Sequence, residues 1–311
     1  MIEKGKKLNS DMSKLLWCNY DIPNQIKALL WKMLVKSSVS YGQELWEGNS
    51  SQQLQFEHIQ TEGAKKILQA HMLTSSVGVR SELGWQELKY SRDFAKLKWW
   101  GIVKKTEKSR WLSKVYNVNS KWSKSVDELI CKYDLVDDSL NLDNISIEKW
   151  KKIVKDKIAI YVNKMYIENI RNDDRIQWYK IKCNNRDNNN IDSVVGDSDD
   201  DDVLSFKKYL RDKMHGGKII KMKLRLGAFG LGEQFSNWKT ETKYTNCVLC
   251  ENILENVEHF VVSCNKLDGI RNIMLNRLKE LLVGDNSYFD GGKVFSYILA
   301  ATPQQFIHII L

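Results

Sequence analysis

The sequence predicts a mainly α-helical protein in two lobes. Apolar residues recur at the three-and-four spacing of one helix face along several segments, whereas the strict alternation of a half-buried strand is scarce. Only two prolines occur, Pro23 and Pro303, so few positions interrupt a helix. One break in composition, the Asn- and Asp-rich segment 183–202, separates the lobes. Together these observations favour helices on both sides of a single linker.

The helical pattern precedes the break in four segments: 23–36, 54–72, 84–105 and 146–172. The first begins at Pro23, which suits the first turn because proline lacks an N–H that would be unpaired there. Its apolar residues repeat at helical spacing and are expected to face the core: Ile26, Leu29, Leu30, Met33 and Leu34. Ser146 caps the longest segment. Further helices are expected after the break, at about 203–214 and 266–283.

The break itself, CNNRDNNNIDSVVGDSDDDD, has almost no large apolar residues. Burial cannot offset the entropy lost on ordering such a segment, which is predicted to be a flexible acidic linker. Its acidic run could hold a metal ion, but a block of like charges is usually solvated. The predicted organisation is a helical region 1–110, a helical connector 111–182, the linker 183–204, a cysteine-containing domain 205–285 and a helical tail 286–311.

Composition and the first residues bear on location. No stretch approaches the eighteen consecutive apolar residues of a membrane span. The beginning, MIEKGKKLNSDMSK, has neither the apolar core nor the cleavage site of a secretory signal. We therefore expect an intracellular protein of the nucleus or cytoplasm with no membrane partner. Its cysteines are then expected to be thiols or metal ligands rather than disulfides.

The net charge of +9 comes with eleven tryptophans and twelve tyrosines. This combination suits a nucleic-acid partner, because cations contact phosphates and aromatic rings stack on bases. The alternative is that the lysines solvate helix surfaces and the aromatic residues fill cores.

Three of the six cysteines and one of the five histidines lie within eighteen residues, in the pattern Cys247-x2-Cys250-x8-His259-x4-Cys264. This spacing predicts one tetrahedral Zn²⁺ held by three thiolates and an imidazole, with no position open for a substrate. His259 and Cys264 are about 140° apart around an ideal helix and cannot both be ligands from one helix. A short helix at about 255–262 is therefore expected to carry His259 and to end before Cys264. The alternative is a set of buried free cysteines beside a surface histidine.

The order of motifs around this cluster is also informative. KLRLGAFGLGE (223–233) precedes CVLC, and ENVEHFVVSC and then LDGIRN (267–272) follow it. This order resembles the C-terminal region of non-LTR retrotransposon reverse transcriptases. IPNQIKALLWKMLVKSSVSYGQELW (22–46) and VRSELGWQELKYSRDFAKLKWWGIV (79–103) resemble segments that follow the catalytic palm in that family. The resemblance covers roughly 15–110 and 205–275, and it implies a thumb-like lobe at 1–110 and a zinc-binding domain at 205–285.

The palm of that family carries paired aspartates that hold two Mg²⁺ ions. The nearest match, LVDD at 135–138, lies downstream of the thumb-like region and lacks flanking apolar strands. The resemblance therefore implies no catalytic residues and no enzyme activity in this chain, although it could be the tail of an RNA-directed DNA polymerase.

The resemblance implies a non-catalytic, transposable-element protein that holds template and primer, with RNA or nicked DNA as partner and a palm-containing polymerase chain as another. The expected phosphate contacts are Arg92, Lys96, Lys98, Lys104, Lys105, Lys218, Lys221, Lys223 and Arg225. Trp99, Trp100 and Trp238 are candidate stacking residues. The alternative function is a zinc-stapled helical adaptor that binds proteins through the same tryptophans.

Overall fold

The computed structural model describes residues 1–17, 19, 21–46, 50–106, 120–176, 179–180, 204–214, 216–228, 231–232, 246–251, 253–256 and 259–281. Within these ranges the protein is mainly α-helical and has no β-strand, which confirms the predicted fold class. Two isolated bridges, Leu83–Phe206 and Asn246–Leu254, are the only strand-like pairings that these ranges contain. Of the predicted linker only residue 204 is described, and the predicted tail 286–311 lies outside the described residues.

The first helices are α1 (Ile2–Met12), α2 (Asn24–Trp31), α3 (Ser37–Val39), α4 (Ser50–Leu68), α5 (Ser76–Glu82) and α6 (Leu88–Lys104). The later ones are α7 (Lys121–Lys132), α8 (Val136–Leu140), α9 (Ile147–Arg171), α10 (Gly216–Arg225) and α11 (Asp268–Leu281). Short π-helical turns occur at Ser13–Trp17, Lys32–Lys36 and His259–Ser263, and 3₁₀ turns at Leu142–Asn144, Lys208–Leu210 and Asn265–Leu267. The four predicted segments before the linker correspond to α2, α4, α6 and α9, and the last predicted segment corresponds to α11.

The predicted helix at 203–214 is wrong. Residues 204–214 are largely irregular and contain one 3₁₀ turn. The backbone N–H of Lys207 donates to the carbonyl of Glu82 at 3.1 Å, and Phe206 forms an antiparallel bridge with Leu83. These contacts with a distant part of the chain take the backbone groups that a helix would have paired internally.

The described residues separate into two compact units that interleave along the chain. The first unit comprises Met1–Ser13, Leu29–Gly63 and Gln86–Glu168, and the second comprises Lys14–Ala28, Ala64–Trp85 and Asn169–Leu311. The consecutive domain boundaries inferred from composition stay a prediction.

Two buried tryptophans organise the first unit. The indole N–H of Trp31 donates to Asn9 at 2.9 Å, and the Asn9 amide donates to the carbonyl of Ile59 at 2.8 Å. The indole N–H of Trp150 donates to the carbonyl of Leu97 at 3.0 Å. Each ring therefore buries a large apolar surface without leaving its N–H unpaired.

Glycine allows the close approach of both rings. A Cβ atom added at Gly63 would overlap the Trp31 indole, and one added at Gly101 would overlap the Trp150 indole. Both glycines lie inside helices, where glycine costs about 1 kcal/mol relative to alanine. Tertiary packing therefore explains two residues that helix propensity alone would disfavour.

The apolar face predicted for α2 is largely exposed, which corrects the sequence-based expectation. Trp31, Val35 and Val39 are buried instead, at a spacing of four residues. The chain forms a π-helical turn at Lys32–Lys36, and its wider hydrogen-bonding pattern shifts the register of the residues that follow. Before this turn, Asn24, Lys27, Ala28 and Trp31 are buried at regular helical spacing, so α2 buries a different face from the predicted one.

The N-terminus of α6 is held by a side chain from α4. The Glu57 carboxylate accepts hydrogen bonds from the backbone N–H groups of Leu88 at 2.9 Å and Lys89 at 2.7 Å, and it pairs with Arg92 at 3.2 Å. Burial raises the pKa of Glu57 despite the lowering effect of Arg92 and of these N–H groups. This cap fixes the start of the helix that carries the first group of candidate phosphate contacts.

In the second unit, one acid lies at the centre of a buried polar network. The carboxylate of Glu82 accepts from the hydroxyls of Tyr179 at 2.8 Å and Tyr209 at 2.6 Å. It also accepts from Nε of Arg225 at 2.7 Å. The Glu82 and Arg225 side chains are 0% and 1% exposed, so solvent does not screen this ion pair.

Candidate metal centre

Cys247, Cys250, His259 and Cys264 come together, as their spacing predicts. One potential ligand atom from each lies within 4.8 Å of the others. Cys247, His259 and Cys264 are buried, and Cys250 is half-buried. The four residues form a compact group of three sulfur donors and one nitrogen donor, which is compatible with a single metal ion.

A tight turn positions the first two cysteines. The N–H of Cys247 donates to the carbonyl of Ile253 at 2.8 Å, and the N–H of Glu251 donates to the carbonyl of Cys247 at 2.7 Å. Glu251 has a φ of 60°, in the left-handed region that reverses the chain within few residues. The turn brings Cys247 and Cys250 to the same side of the backbone.

The second pair lies at the two ends of a π-helical turn. His259 begins the turn, and its N–H donates to the Asn256 side chain at 2.7 Å. The turn ends at Ser263, and the N–H of Cys264 donates to the carbonyl of His259 at 2.8 Å. The expectation that the helix carrying His259 ends before Cys264 is confirmed, although the turn is π-helical.

Two of the distances between donor atoms match the edges of a tetrahedral site. The sulfur atoms of Cys247 and Cys264 are 3.8 Å apart, and the sulfur of Cys250 is 3.3 Å from Nε2 of His259. Bond lengths of about 2.3 Å for Zn–S and about 2.0–2.1 Å for Zn–N give tetrahedral edges of about 3.8 Å and about 3.5 Å. A disulfide would require sulfur atoms about 2.05 Å apart. The Cys247–Cys264 distance therefore matches co-ligands of one ion and excludes a bond between them.

The surroundings of Cys247 and Cys264 shift the pKa values of these two buried thiols in opposite directions. Burial alone would raise the pKa of Cys247, but hydrogen bonds from the backbone of Cys250 and Leu249 and from the His259 side chain lower it to about 7. Burial raises the pKa of Cys264, and its contact with the Cys247 sulfur raises it further. Several thiolates in so small a buried volume repel one another unless a cation joins them.

Arg271 of α11 supports the backbone around Cys264 through hydrogen bonds. Its guanidinium donates to the carbonyl of Cys264 at 2.6 Å and to that of Val261 at 3.0 Å, and it also pairs with Asp268. Arg271 is thus a supporting residue that was not among the predicted site residues. The sequence did contain a signal for Arg271, because LDGIRN follows Cys264 and the family that this region resembles has an arginine shortly after its last cysteine. Nδ1 of His259 has no hydrogen-bond partner among the described residues.

The candidate phosphate contacts on α6 differ in their environments. Arg92 pairs with Glu57 and lies over the Trp46 ring at 5.7 Å, and Lys96 is buried and donates to Ser125 at 3.0 Å. The exposed members of this group are Lys98, Lys104 and Lys105. The Lys105 ammonium also contacts the backbone carbonyl of Ile145. Lys96 is thus buried and Arg92 half-buried, whereas the side chains of Lys98, Lys104 and Lys105 are exposed to solvent.

The group on α10 is not the exposed basic strip that the sequence suggested. Lys218, Lys221 and Arg225 are buried, and Lys223 is half-buried. Lys218 donates to the carbonyl of Lys213 at 3.3 Å, and the Lys221 ammonium lies 5.4 Å from the centre of the Tyr209 ring. The long aliphatic parts of these cationic side chains are therefore buried in the second unit rather than presented to solvent.

Two other sequence expectations concern aromatic residues and aspartates. Trp100 is buried and packs on Trp150 with ring centroids 5.3 Å apart, and Trp238 lies outside the described residues. Asp137 and Asp138 lie on the short helix α8 rather than on a strand hairpin. Trp100 is therefore placed for core packing, and the LVDD segment does not have the local structure of a palm active site.

Comparisons of the chain with protein-family models, curated proteins and solved structures gave no match. The resemblance to reverse transcriptases therefore depends on the motifs in this sequence and stays a prediction. Across the described part of the chain, no helix combines the length and apolarity needed to cross a membrane.

Proposed function

We propose that this chain is a non-catalytic nucleic-acid-binding protein with one structural Zn²⁺, corresponding to the C-terminal part of a retrotransposon reverse transcriptase. The observation that carries the proposal is the cluster of Cys247, Cys250, His259 and Cys264, in which the donor atoms lie within 4.8 Å of one another and two of the distances suit a tetrahedral ion. Sulfur and imidazole donors favour Zn²⁺ over hard cations such as Mg²⁺.

The ion has a structural role in this proposal because the protein supplies all four ligands. A catalytic zinc keeps a position open for water or substrate, and four protein donors leave none. Zn²⁺ would join the turn containing Cys247 to the turn containing His259, and Arg271 would support the joined segment through its bonds to backbone carbonyls. No reaction step is assigned to the chain.

Nucleic-acid binding is attributed to the exposed face of α6. The chain carries a net charge of +9, and three lysines are exposed near the end of this helix: Lys98 and Lys104 in its last two turns and Lys105 at its C-cap. Lys98 and Lys105 are seven residues apart, so they lie on nearly the same helix face. The Glu57 cap and the packing of Trp150 against Gly101 give the helix a fixed position within the first unit. Lysines on a rigid helix are suited to the phosphates of RNA or nicked DNA.

Replacing Lys98 and Lys105 with alanine is expected to weaken binding and to reduce its dependence on salt. Loss of two phosphate contacts lowers the slope of log affinity against log salt by about 1.8 on duplex DNA or about 1.4 on single strands. The measurement is a salt series of binding to labelled RNA and nicked DNA. Lys7→Ala/Lys213→Ala is the control, because it removes the same charge from exposed lysines outside α6.

An unchanged slope in the Lys98→Ala/Lys105→Ala variant would contradict the assignment to α6. If the wild-type chain does not bind RNA or nicked DNA even at low salt, nucleic-acid binding is contradicted altogether. In that case the protein-binding adaptor becomes the better account, because association through an apolar interface depends little on ionic strength. Lys221 and Arg225 are unsuitable test positions, since substituting these buried residues would disturb the core of the second unit.

A further inference from the structure

Part of the exposed apolar face that follows α2, at Met33 and Leu34, lines a groove in the first unit. Leu29, Met33 and Leu34 are 51%, 61% and 47% exposed, although their spacing is typical of a buried helix face. Isolated exposed apolar residues are common, but several on one face mark an interaction surface. The π-helical turn at Lys32–Lys36 lies within this face, and such turns occur frequently at functional sites.

The groove lies between α1 and the segment 33–41, and its volume is about 490 Å³. Its walls are mainly apolar, and the residues that line it include Met1, Leu8, Met33, Leu34 and Tyr41. Of these residues, Tyr41 is 81% exposed. A volume within the usual range of about 300–1,000 Å³ for ligand sites can receive several side chains of a partner.

The charge near the groove is positive. Lys4 lines it, Lys32 and Lys36 lie in the adjoining π-helical turn, and no acidic side chain is among its lining residues. None of these three lysines forms an ion pair with an acid in the part of the chain that the structure describes. Burial, followed by the nearby charge of Lys32, lowers the pKa of Lys36. An acidic partner would relieve this repulsion.

We propose that the groove binds an amphipathic helix of another protein, with an apolar stripe in the groove and Asp or Glu residues beside Lys4, Lys32 and Lys36. Helix-in-groove recognition uses apolar anchors at i, i+3, i+4 and i+7, and the flanking charges set the partner and its orientation. A concave apolar site suits protruding side chains of a helix better than a lipid surface, which is entered by protruding residues of the protein itself. Nucleic acid would leave the apolar walls without a partner.

The test uses the full chain and a labelled synthetic helix with leucines at i, i+3, i+4 and i+7 and glutamates on both flanks. Fluorescence anisotropy should show saturable binding at concentrations below about 100 μM. A second peptide has the same composition but with the leucines distributed around the helix, and a third has lysines in place of the glutamates. Both should bind at least about tenfold more weakly than the first.

Substitutions in and beside the groove test whether the peptide binds there. Met33→Ser/Leu34→Ser is expected to weaken binding of the acidic helix about tenfold or more, because it removes two central anchors without touching the core. The double substitution Lys4→Glu/Lys32→Glu should weaken binding of the acidic peptide and strengthen binding of the lysine peptide. Leu140→Ser/Ile160→Ser is the matched control, since these side chains are 77% and 69% exposed elsewhere in the first unit.

The proposal is overturned if the acidic peptide does not bind at about 100 μM, or if the peptide with distributed leucines binds equally well. Self-association of the chain that is lost in Met33→Ser/Leu34→Ser would assign the groove to a second copy instead. Loss of binding to anionic vesicles in this variant, without a change in peptide binding, would assign it to a membrane surface.

Discussion

Removing the metal should unfold the segment 246–281 of this protein. The described part of that segment has few regular helical turns before α11 and is held by the four-residue cluster and by Arg271. Structural zinc contributes on the order of 10 kcal/mol in zinc-finger peptides, where binding and folding are one equilibrium. Without the ion, the buried thiols of Cys247 and Cys264 have no cation between them. The predicted effect is therefore loss of local structure rather than a small change in stability.

Hydrogen exchange of the full chain, with and without a zinc chelator, measures this effect directly. Amides at 246–281 should lose their protection on chelation, whereas those of α6 and α9 should keep theirs. Cys264→Ser should reproduce the effect without chelator. Cys131→Ser is the matched control, because Cys131 is exposed and lies outside the cluster. Equal protection of 246–281 in metal-free and metal-loaded protein would contradict a structural role for the ion.

Replacing Glu82 with alanine should destabilise the second unit by about 3–5 kcal/mol, the usual cost of removing one partner of a buried ion pair. The substitution would leave the Arg225 charge without its carboxylate, and the hydroxyls of Tyr179 and Tyr209 would lose their acceptor. A total stability of 5–15 kcal/mol is typical of a domain, so this loss would be a large part of it.

Urea unfolding of the full chain, followed by tryptophan fluorescence, tests this prediction. The control is Asp21→Ala, which breaks the exposed Asp21–Lys213 pair and should cost less than about 1 kcal/mol. Removing both charges with Glu82→Gln/Arg225→Met should recover part of the stability lost in Glu82→Ala, because no uncompensated charge is left. A loss below about 1 kcal/mol in Glu82→Ala would show that the network does not stabilise the fold.

Local signals made the fold class and the metal cluster predictable from the sequence. Helical periodicity gives the approximate bounds of α4, α6 and α9, because each follows a regular pattern over many residues. The spacing from Cys247 to Cys264 fixes which residues can converge, and the angle between His259 and Cys264 requires the helical turn to end between them. These inferences need only short-range geometry.

Burial of charged residues was not predictable by the same means. Lys218, Lys221 and Arg225 look like a basic surface strip, because lysine and arginine are usually exposed. Their burial depends on partners distant in sequence, and Arg225 meets Glu82 across 143 positions. The exposed face of α2 was missed for a related reason, since the face that α2 buries includes Asn24 and Lys27, and such side chains usually lie at the surface. The burial of polar and charged side chains leaves no local pattern.

Cobalt(II) titration of the metal-free full chain is the most direct test of the central claim that three thiolates and one imidazole hold a single structural ion. The account predicts saturation at one equivalent, strong visible absorption typical of tetrahedral Co²⁺, and intense near-ultraviolet absorption from thiolate-to-metal charge transfer. Cys250→Ser should weaken binding and reduce the charge-transfer band, and one equivalent of Zn²⁺ should displace the cobalt. A weak spectrum typical of octahedral Co²⁺, or no saturable binding, would contradict the account.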